Sequence, residues 1–396
     1  MIAFIMRKIR VKKKIYIGAE KFYLKDKMVG KGWLEITDGV FGNIKSEYPK
    51  GEGYEVIEYS GKAVAPGLVD THIHGYANHD VMDNQAEGLK AISEKLLLTG
   101  VTSFLPTTLT ATKEQLTAVA KMIGENETKM PGAKMRGIYF EGPFFVKEYK
   151  GAQNENYFSD PEIERFCQWQ KEAKGLIKKI AIAPEREGAV EFIQEMKKKG
   201  VVVALGHSNA TYAQVKMAVN AGASVFVHAY NGMRGLNHRE PGMVGAMMAL
   251  EGIYAELICD GHHVHPAAAK ALMNACGREH IVLITDCMMA GGMQEGQYML
   301  GEFPVTVKEG TARLADGSLA GSVLQLKDAI KNVVNWGIMK PEEAIRSATF
   351  VAAKSCQIED VCGSIEKGRA ADFVVFDEEM NLEATYLDGI CRFRSH

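Results

Sequence analysis

Between residues 64 and 286 the chain alternates short, nearly unbroken apolar runs with polar turns and amphipathic stretches. Eight runs read as strands: VAPGLVDTHIH (64–74), TSFLPTT (102–108), MRGIYFEGP (135–143), KKIAIAPE (178–185), VVVALGH (201–207), ASVFVHAY (223–230), YAELICDG (254–261) and HIVLITD (280–286). Such two-sided apolarity predicts parallel strands covered on both faces. The stretches between them carry helix marks. Thr112 and Gln115 form a capping-box pair ahead of Leu116, Val119, Ala120 and Ile123, which share one helical face. Val190, Ile193 and Met196 line a second helix that stops at Gly200. Val215, Ala218 and Val219 line a third, with Asn209 or Ser208 as its cap and Gly222 as its stop. Eight β/α units predict a (β/α)8 barrel, a fold of roughly 250 residues. On strand count alone a doubly wound open sheet stays open as the alternative.

The ends break this rhythm. Residues 1–62 hold short strand-like pieces (KIYIGAEKFYL, KGWLEITDGVFGNI, YEVIEYSG), and so does the tail (GSIEKGRAADFVVFDEE, EATYLDGICRF). They predict a small β-sandwich domain formed from both chain ends, 1–62 with 357–396, flanking a barrel domain at 63–356.

Composition narrows the class. The 396 residues carry 47 Lys+Arg against 49 Asp+Glu, a net charge of -2, which argues against a mainly nucleic-acid-binding role. With 46% apolar and 24% charged residues the chain has a folded, globular mix. The 7 cysteines are scattered and lack a CxxC pair, so free thiols in a reducing cytoplasm are expected rather than disulfides or a cysteine-held zinc. In MIAFIMRKIRVKKK the apolar stretch precedes the basic run, the reverse of a secretory signal, and translation could equally begin at Met6. The basic run itself reads as a solvated edge-strand decoration. No window approaches the roughly 20 apolar residues of a membrane span.

The informative feature is where the polar residues fall. In a barrel, chemistry collects at the C-terminal strand ends. Strand one finishes Asp70-Thr71-His72-Ile73-His74, and period-two alternation sends both imidazoles the same way. Strand three ends with Glu141, strand five with His207, strand six with His228 and strand eight with Asp286. A lone histidine there is usually a satisfied core residue. Four histidines and two carboxylates gathered together would be costly to bury without a cation, and they are donors that Zn²⁺ or Fe²⁺ accepts. A hydrolytic metal site follows, with His72, His74, Glu141, His207 and His228 as candidate ligands for one ion, or for two with Glu141 bridging. Asp286 serves as proton shuttle or as a further ligand; the sequence leaves both open.

These residues sit in APGLVDTHIHG, YFEGPFF, ALGHSNATY, VHAYNGMRGLNHREPGMVG, CDGHHVHP, ITDCMMAGG, SLAGSVLQL and GSIEKGRAADFVVFD. Together these segments resemble the amidohydrolase superfamily and, within it, the N-acetylglucosamine-6-phosphate deacetylases. The likeness runs over nearly the whole chain, and EGP, GHSNA and HREPG carry it more specifically than His-x-His does. It implies a cytoplasmic homodimer that removes acetate from a phosphorylated amino sugar. By this resemblance Glu141, His207 and His228 hold metal, His72 and His74 complete a second site, and Asp286 is general base and then acid.

The resemblance also implies that Asn231, Gly232 and His263 hold the phosphate, that Arg239 reaches it from the partner subunit, and that Leu319 lies on a loop over the sugar. Read by itself, Arg239 would be a surface ion-pair residue, whereas the Asn231-Gly232 turn directly after His228 can face its N–H groups to a ligand. His262 and His265 read as structural. Gln153 stands where some members of the family carry a histidine that contacts the acetamide carbonyl, and its amide can still donate a hydrogen bond there. A cyclic-amide hydrolase of the same superfamily would need a carboxylated lysine ending strand four. That strand ends Ala183-Pro184-Glu185, with Lys178 and Lys179 at its other end. A metal-free scaffold would show gaps in the ligand set, and there are none.

Overall fold

The computed structural model describes residues 14–395; the basic run before Lys14 and both candidate start positions, Met1 and Met6, lie outside them. Eight parallel strands follow in chain order: β1 (Leu68–Ile73), β2 (Val101–Thr108), β3 (Ile138–Phe144), β4 (Ile177–Ile182), β5 (Val202–Leu205), β6 (Val225–Phe226), β7 (Tyr254–Ile258) and β8 (Ile281–Ile284). Each pairs with the next in sequence. The ring closes from β8 to β1, where the Asp286 N–H donates to the His72 carbonyl at 2.9 Å and Ile73 bridges Cys287. Sequential order and closure exclude the doubly wound sheet. With their side chains nearly all buried, the strands have little choice but to be apolar on both faces.

The helices show the cost of reading periodicity alone. Thr112 and Gln115 do cap Lys113–Asn126 reciprocally, and the four expected residues are buried. In Ala189–Lys198 the buried face is Ala189, Phe192, Ile193 and Met196, turned slightly from the expected one so that Val190 is only half-buried. Neither Asn209 nor Ser208 caps Tyr212–Ala221. Thr211, directly before the first helical residue, does, with Gln214 returning the bond; the Ser208 hydroxyl instead donates to the Glu185 carboxylate at 2.7 Å, as does the Asn209 backbone N–H at 2.6 Å.

Both chain ends form the β-sandwich domain. Phe373–Phe376 pairs antiparallel with Glu55–Pro66, which itself runs parallel to Lys14–Tyr23. The sheet curls until its far strand meets the tail, with the Phe41 N–H on the Arg369 carbonyl at 2.9 Å and the Ala371 N–H on the Gly39 carbonyl at 2.7 Å. Ile17, Phe22, Leu34, Val64 and Phe373 fill the space enclosed. A three-stranded antiparallel sheet (Gly296–Leu300, Phe303–Lys308, Thr311–Arg313) follows β8, absent from the sequence-based expectation. Its own small core takes in Leu109, Met288 and Leu300, which seats it over the C-terminal mouth of the barrel. No helix among the described residues is long and apolar enough to cross a membrane.

Candidate metal centre and substrate cavity

Five strands deliver the polar cluster to one point. His72 lies in β1 and His74 one residue beyond it, Glu141 lies in β3, and His207, His228 and Asp286 each follow their strand by two residues. Those last three adopt left-handed backbone (φ 47°, 27° and 50°), a conformation that costs side-chain-bearing residues of order 1–3 kcal/mol and is tolerated where the surroundings fix it. The turn re-aims each side chain from the barrel wall to the mouth.

There the reactive atoms crowd together. The His72 and His74 Nε2 atoms are 3.3 Å apart, and those of His207 and His228 are 3.1 Å apart. Glu141 stands between the pairs: Oε1 lies 3.2 Å from His228 Nε2 and 3.4 Å from His72 Nε2, and Oε2 lies 3.3 Å from His74 Nε2. Asp286 Oδ1 is 3.1 Å from His74 Nε2 and 3.3 Å from His72 Nε2. All six residues are buried. Two groups have the spacing of a metal site, His72–His74–Glu141 and Glu141–His207–His228.

The outer edge of each imidazole explains the inner one. His74 Nδ1 donates to the Thr107 carbonyl (3.2 Å), His207 Nδ1 to the Tyr149 carbonyl (2.8 Å) and His228 Nδ1 to the Asn231 carbonyl (3.1 Å). Carbonyls only accept, so each Nδ1 carries the proton. His72 Nδ1 donates to the Glu256 carboxylate at 3.2 Å. With Nδ1 as the outward donor, each ring turns its Nε2 inward, toward the others and toward carboxylate oxygens. Facing lone pairs repel unless a cation lies among them, and imidazole nitrogens with carboxylate oxygens are the donor set of a divalent transition ion.

The electrostatics point the same way. Burial alone would lower the proton affinity of His74, but bonding to Asp286 and Glu141 outweighs it and pushes the pKa up to about 9. His72 is raised on the same balance. Burial works against ionising Glu141 and Asp286, yet the surrounding imidazoles hold both well below the usual carboxylate range. Two buried anions demand positive charge, as protons or as a metal ion.

The cluster floors a cavity of about 250 Å³ lined by Gln153, Asn231, Gly232, His263, Leu319 and Gly321 as well as by His74, Glu141, His207, His228 and Asp286, with His72 behind them. Gln153 is tightly engaged: its Nε2 donates to Glu141 Oε2 at 2.6 Å and its Oε1 accepts the Thr110 N–H at 2.8 Å, which leaves one amide hydrogen for a ligand. Gly232 is at φ 58°, and a Cβ there would lie 3.0 Å from His207 Nδ1, so only glycine lets the turn pass behind that ring. Asp260 accepts from His263 Nδ1 at 2.6 Å and so fixes the ring at the cavity wall. Arg239 is not among these lining residues; it is exposed on the loop after Asn231.

Two participants escaped the sequence reading. Glu256, inside β7, and Lys179, inside β4, are fully buried and paired beneath His72. Their signal was present as a charge within each apolar run. Lys179 is thereby committed to Glu256, which removes it as a carboxylated metal bridge.

Residues 63–391 match the amidohydrolase family. The chain is 40% identical over 325 residues to the N-acetylglucosamine-6-phosphate deacetylase of Vibrio furnissii, covering 82% of this chain and 81% of that one. It is also 40% identical over 364 residues to the N-acetylgalactosamine-6-phosphate deacetylase of Escherichia coli O157:H7, covering 90% and 95%. Among solved structures, a mutant N-acetyl-D-glucosamine-6-phosphate deacetylase from Mycobacterium smegmatis, in complex with N-acetyl-D-glucosamine-6-phosphate, superposes with a TM-score of 0.90 at 28% identity over 96% of this chain and 99% of that one.

Proposed function

The chain belongs to the amidohydrolase family, and from that premise we propose that it hydrolyses the acetamide of N-acetylglucosamine 6-phosphate to glucosamine 6-phosphate and acetate. The observation that carries the reading is the convergence of four inward Nε2 atoms with the Glu141 and Asp286 carboxylates at one point at the base of a cavity. His72, His74, Glu141, His207 and His228 would hold one or two divalent ions, Zn²⁺ or Fe²⁺, with Glu141 shared. Such an ion supplies Lewis acidity, polarising the acyl carbonyl and making a neighbouring water more acidic.

Asp286 moves the proton. Ionised and pointed at the centre, it accepts a proton from the attacking water and returns it to the sugar nitrogen as the C–N bond breaks, so that acetate and the free amine depart. Gln153 holds Glu141 and offers its remaining amide hydrogen to the acyl oxygen. Asn231, Gly232 and His263 receive the phosphate, and Leu319 covers the sugar. Arg239, exposed on its own subunit, reaches the phosphate bound by a partner in a cytoplasmic homodimer. The metal-binding domain in this reading is 63–356, with 1–62 and 357–396 as the β-sandwich domain.

The test is acetate release from a panel of N-acetyl sugar phosphates, with and without chelator. Turnover of N-acetylglucosamine 6-phosphate that chelation abolishes and divalent metal restores is expected; chelator-insensitive turnover, or none, refutes the proposal. A second reading, N-acetylgalactosamine 6-phosphate as the preferred substrate, is favoured by the equal identity to the Escherichia coli relative over a larger share of the chain. A higher kcat/KM on the galacto sugar would select it and leave the chemistry unchanged.

A further inference from the structure

The four inward imidazoles are not oriented alike. Backbone carbonyls hold His74, His207 and His228, whereas His72 is held by the side chain of Glu256. Glu256 Oε2 accepts from His72 Nδ1 at 3.2 Å, and its Oε1 is bound by Lys179 Nζ. That ammonium also lies 3.7 Å from the centroid of the Tyr139 ring, which stands perpendicular to the His72 ring with centroids 4.9 Å apart. His72, Lys179 and Glu256 are wholly shielded from solvent; the other buried carboxylate on β1, Asp70, is bonded by the Thr285 hydroxyl at 2.6 Å rather than by a cation.

An ion pair in such a place is hard to explain as a source of stability. Desolvating both charges costs about as much as their attraction returns, and apolar or neutral replacements of similar volume are often tolerated. The pair does something an apolar filling cannot. A carboxylate behind a metal-binding imidazole draws its N–H proton outward and makes the opposite nitrogen a stronger donor, and it fixes the plane of the ring. A backbone carbonyl does the second and far less of the first. Lys179 keeps Glu256 ionised and turns its free oxygen toward His72.

We propose that Glu256, held by Lys179, is a positioning residue that sets the affinity of the His72–His74–Glu141 group for a divalent ion, while the Glu141–His207–His228 group is independent of it. The chain would then be built for two ions of separately controlled affinity. This inference rests on the metal-centre reading above.

The experiment uses the full chain, stripped with chelator and dialysed against buffers of graded free Zn²⁺, with bound zinc counted by elemental analysis. Glu256→Gln alone would strand a buried Lys179, so the main variant is the double change Lys179→Met with Glu256→Gln, which removes both charges together and keeps an acceptor for His72. Thermal melts establish that it folds. The wild-type protein should saturate at two zinc ions per subunit. The double variant should keep one at unchanged affinity and bind the other roughly 10–100-fold more weakly. Adding His72→Asn to the double variant should then cause no further loss of the tighter ion. Unchanged affinity for both ions, equal weakening of both, or wild-type saturation at one ion overturns the inference while leaving a working metal enzyme. A wild-type protein that binds no zinc at all overturns instead the metal-centre reading beneath it.

Discussion

Replacing Asp286 by Asn separates chemistry from architecture unusually well. The residue sits at φ 50°, and Asn and Asp both visit that left-handed region readily, so the backbone has no reason to move. Its main-chain bonds, N–H to the His72 carbonyl at 2.9 Å and carbonyl to the Ser322 N–H at 2.7 Å, do not involve the side chain and persist. What disappears is an ionised oxygen 3.1 Å from His74 Nε2 and 3.3 Å from His72 Nε2. General acid–base catalysis contributes about two to four decades of rate, or roughly 3–5 kcal/mol of activation free energy. In an acetate-release assay at saturating substrate, kcat should therefore fall by about 10²–10⁴-fold. Zinc bound through Glu141, His207 and His228 should remain by elemental analysis. A variant within tenfold of wild-type kcat would refute the proton role, and inactivity accompanied by complete loss of metal would show Asp286 to be chiefly a ligand.

Other consequences are as direct. Arg239→Ala removes an exposed side chain, so stability should change by no more than about 0.5 kcal/mol; KM for the phosphorylated sugar should rise while residual activity on the unphosphorylated sugar is unaltered, as steady-state kinetics on both will show. Gly232→Ala combines φ 58° with a Cβ 3.0 Å from His207 Nδ1, which should cost about 1–3 kcal/mol in a thermal or denaturant melt and weaken zinc retention together. Because the folded-state pKa of His74 is raised to about 9, the proton it binds in the metal-free protein stabilises the fold fully below about pH 6.5, and that contribution is lost as pH rises through about 9. The chelated protein should thus lose more thermal stability between those pH values than the zinc-loaded protein, whose centre holds metal in place of the proton; parallel melts compare the two.

The barrel and the cluster at its mouth were legible because both follow from position. Apolar runs covered on two faces announce parallel strands, and a His, Glu or Asp at the end of such a run has only the mouth to occupy. Glu256 and Lys179 follow a different rule. They lie within their strands and face inward beneath the cluster, and a strand's sequence does not state which neighbour will meet a charge across the barrel. The carbonyls of Thr107, Tyr149 and Asn231 were hidden for a simpler reason, since every residue has one and only the folded turn selects it. The cap of Tyr212–Ala221 differs from the expected one because the helix begins two to three residues later than Ser208 and Asn209 imply, and the Ser208 hydroxyl is drawn to Glu185 by a contact distant in sequence. The sheet over Gly296–Arg313 alternates buried and exposed positions along strands of only 5, 6 and 3 residues, too short for the pattern to stand out in the sequence. Arg239 is exposed and does not line the cavity, and the role proposed for it depends on a second copy of the chain that no single subunit displays.

One ion shared by imidazoles from separate strands is the claim everything else requires. Crystals of the zinc-reloaded protein, with anomalous diffraction recorded on both sides of the zinc edge, test it most directly. The account predicts a peak in the mouth of the barrel, about 2.0–2.2 Å from Nε2 of His207 and His228 and from a Glu141 oxygen. A centre empty at saturating zinc, or zinc found only on surface residues away from these imidazoles, would contradict it.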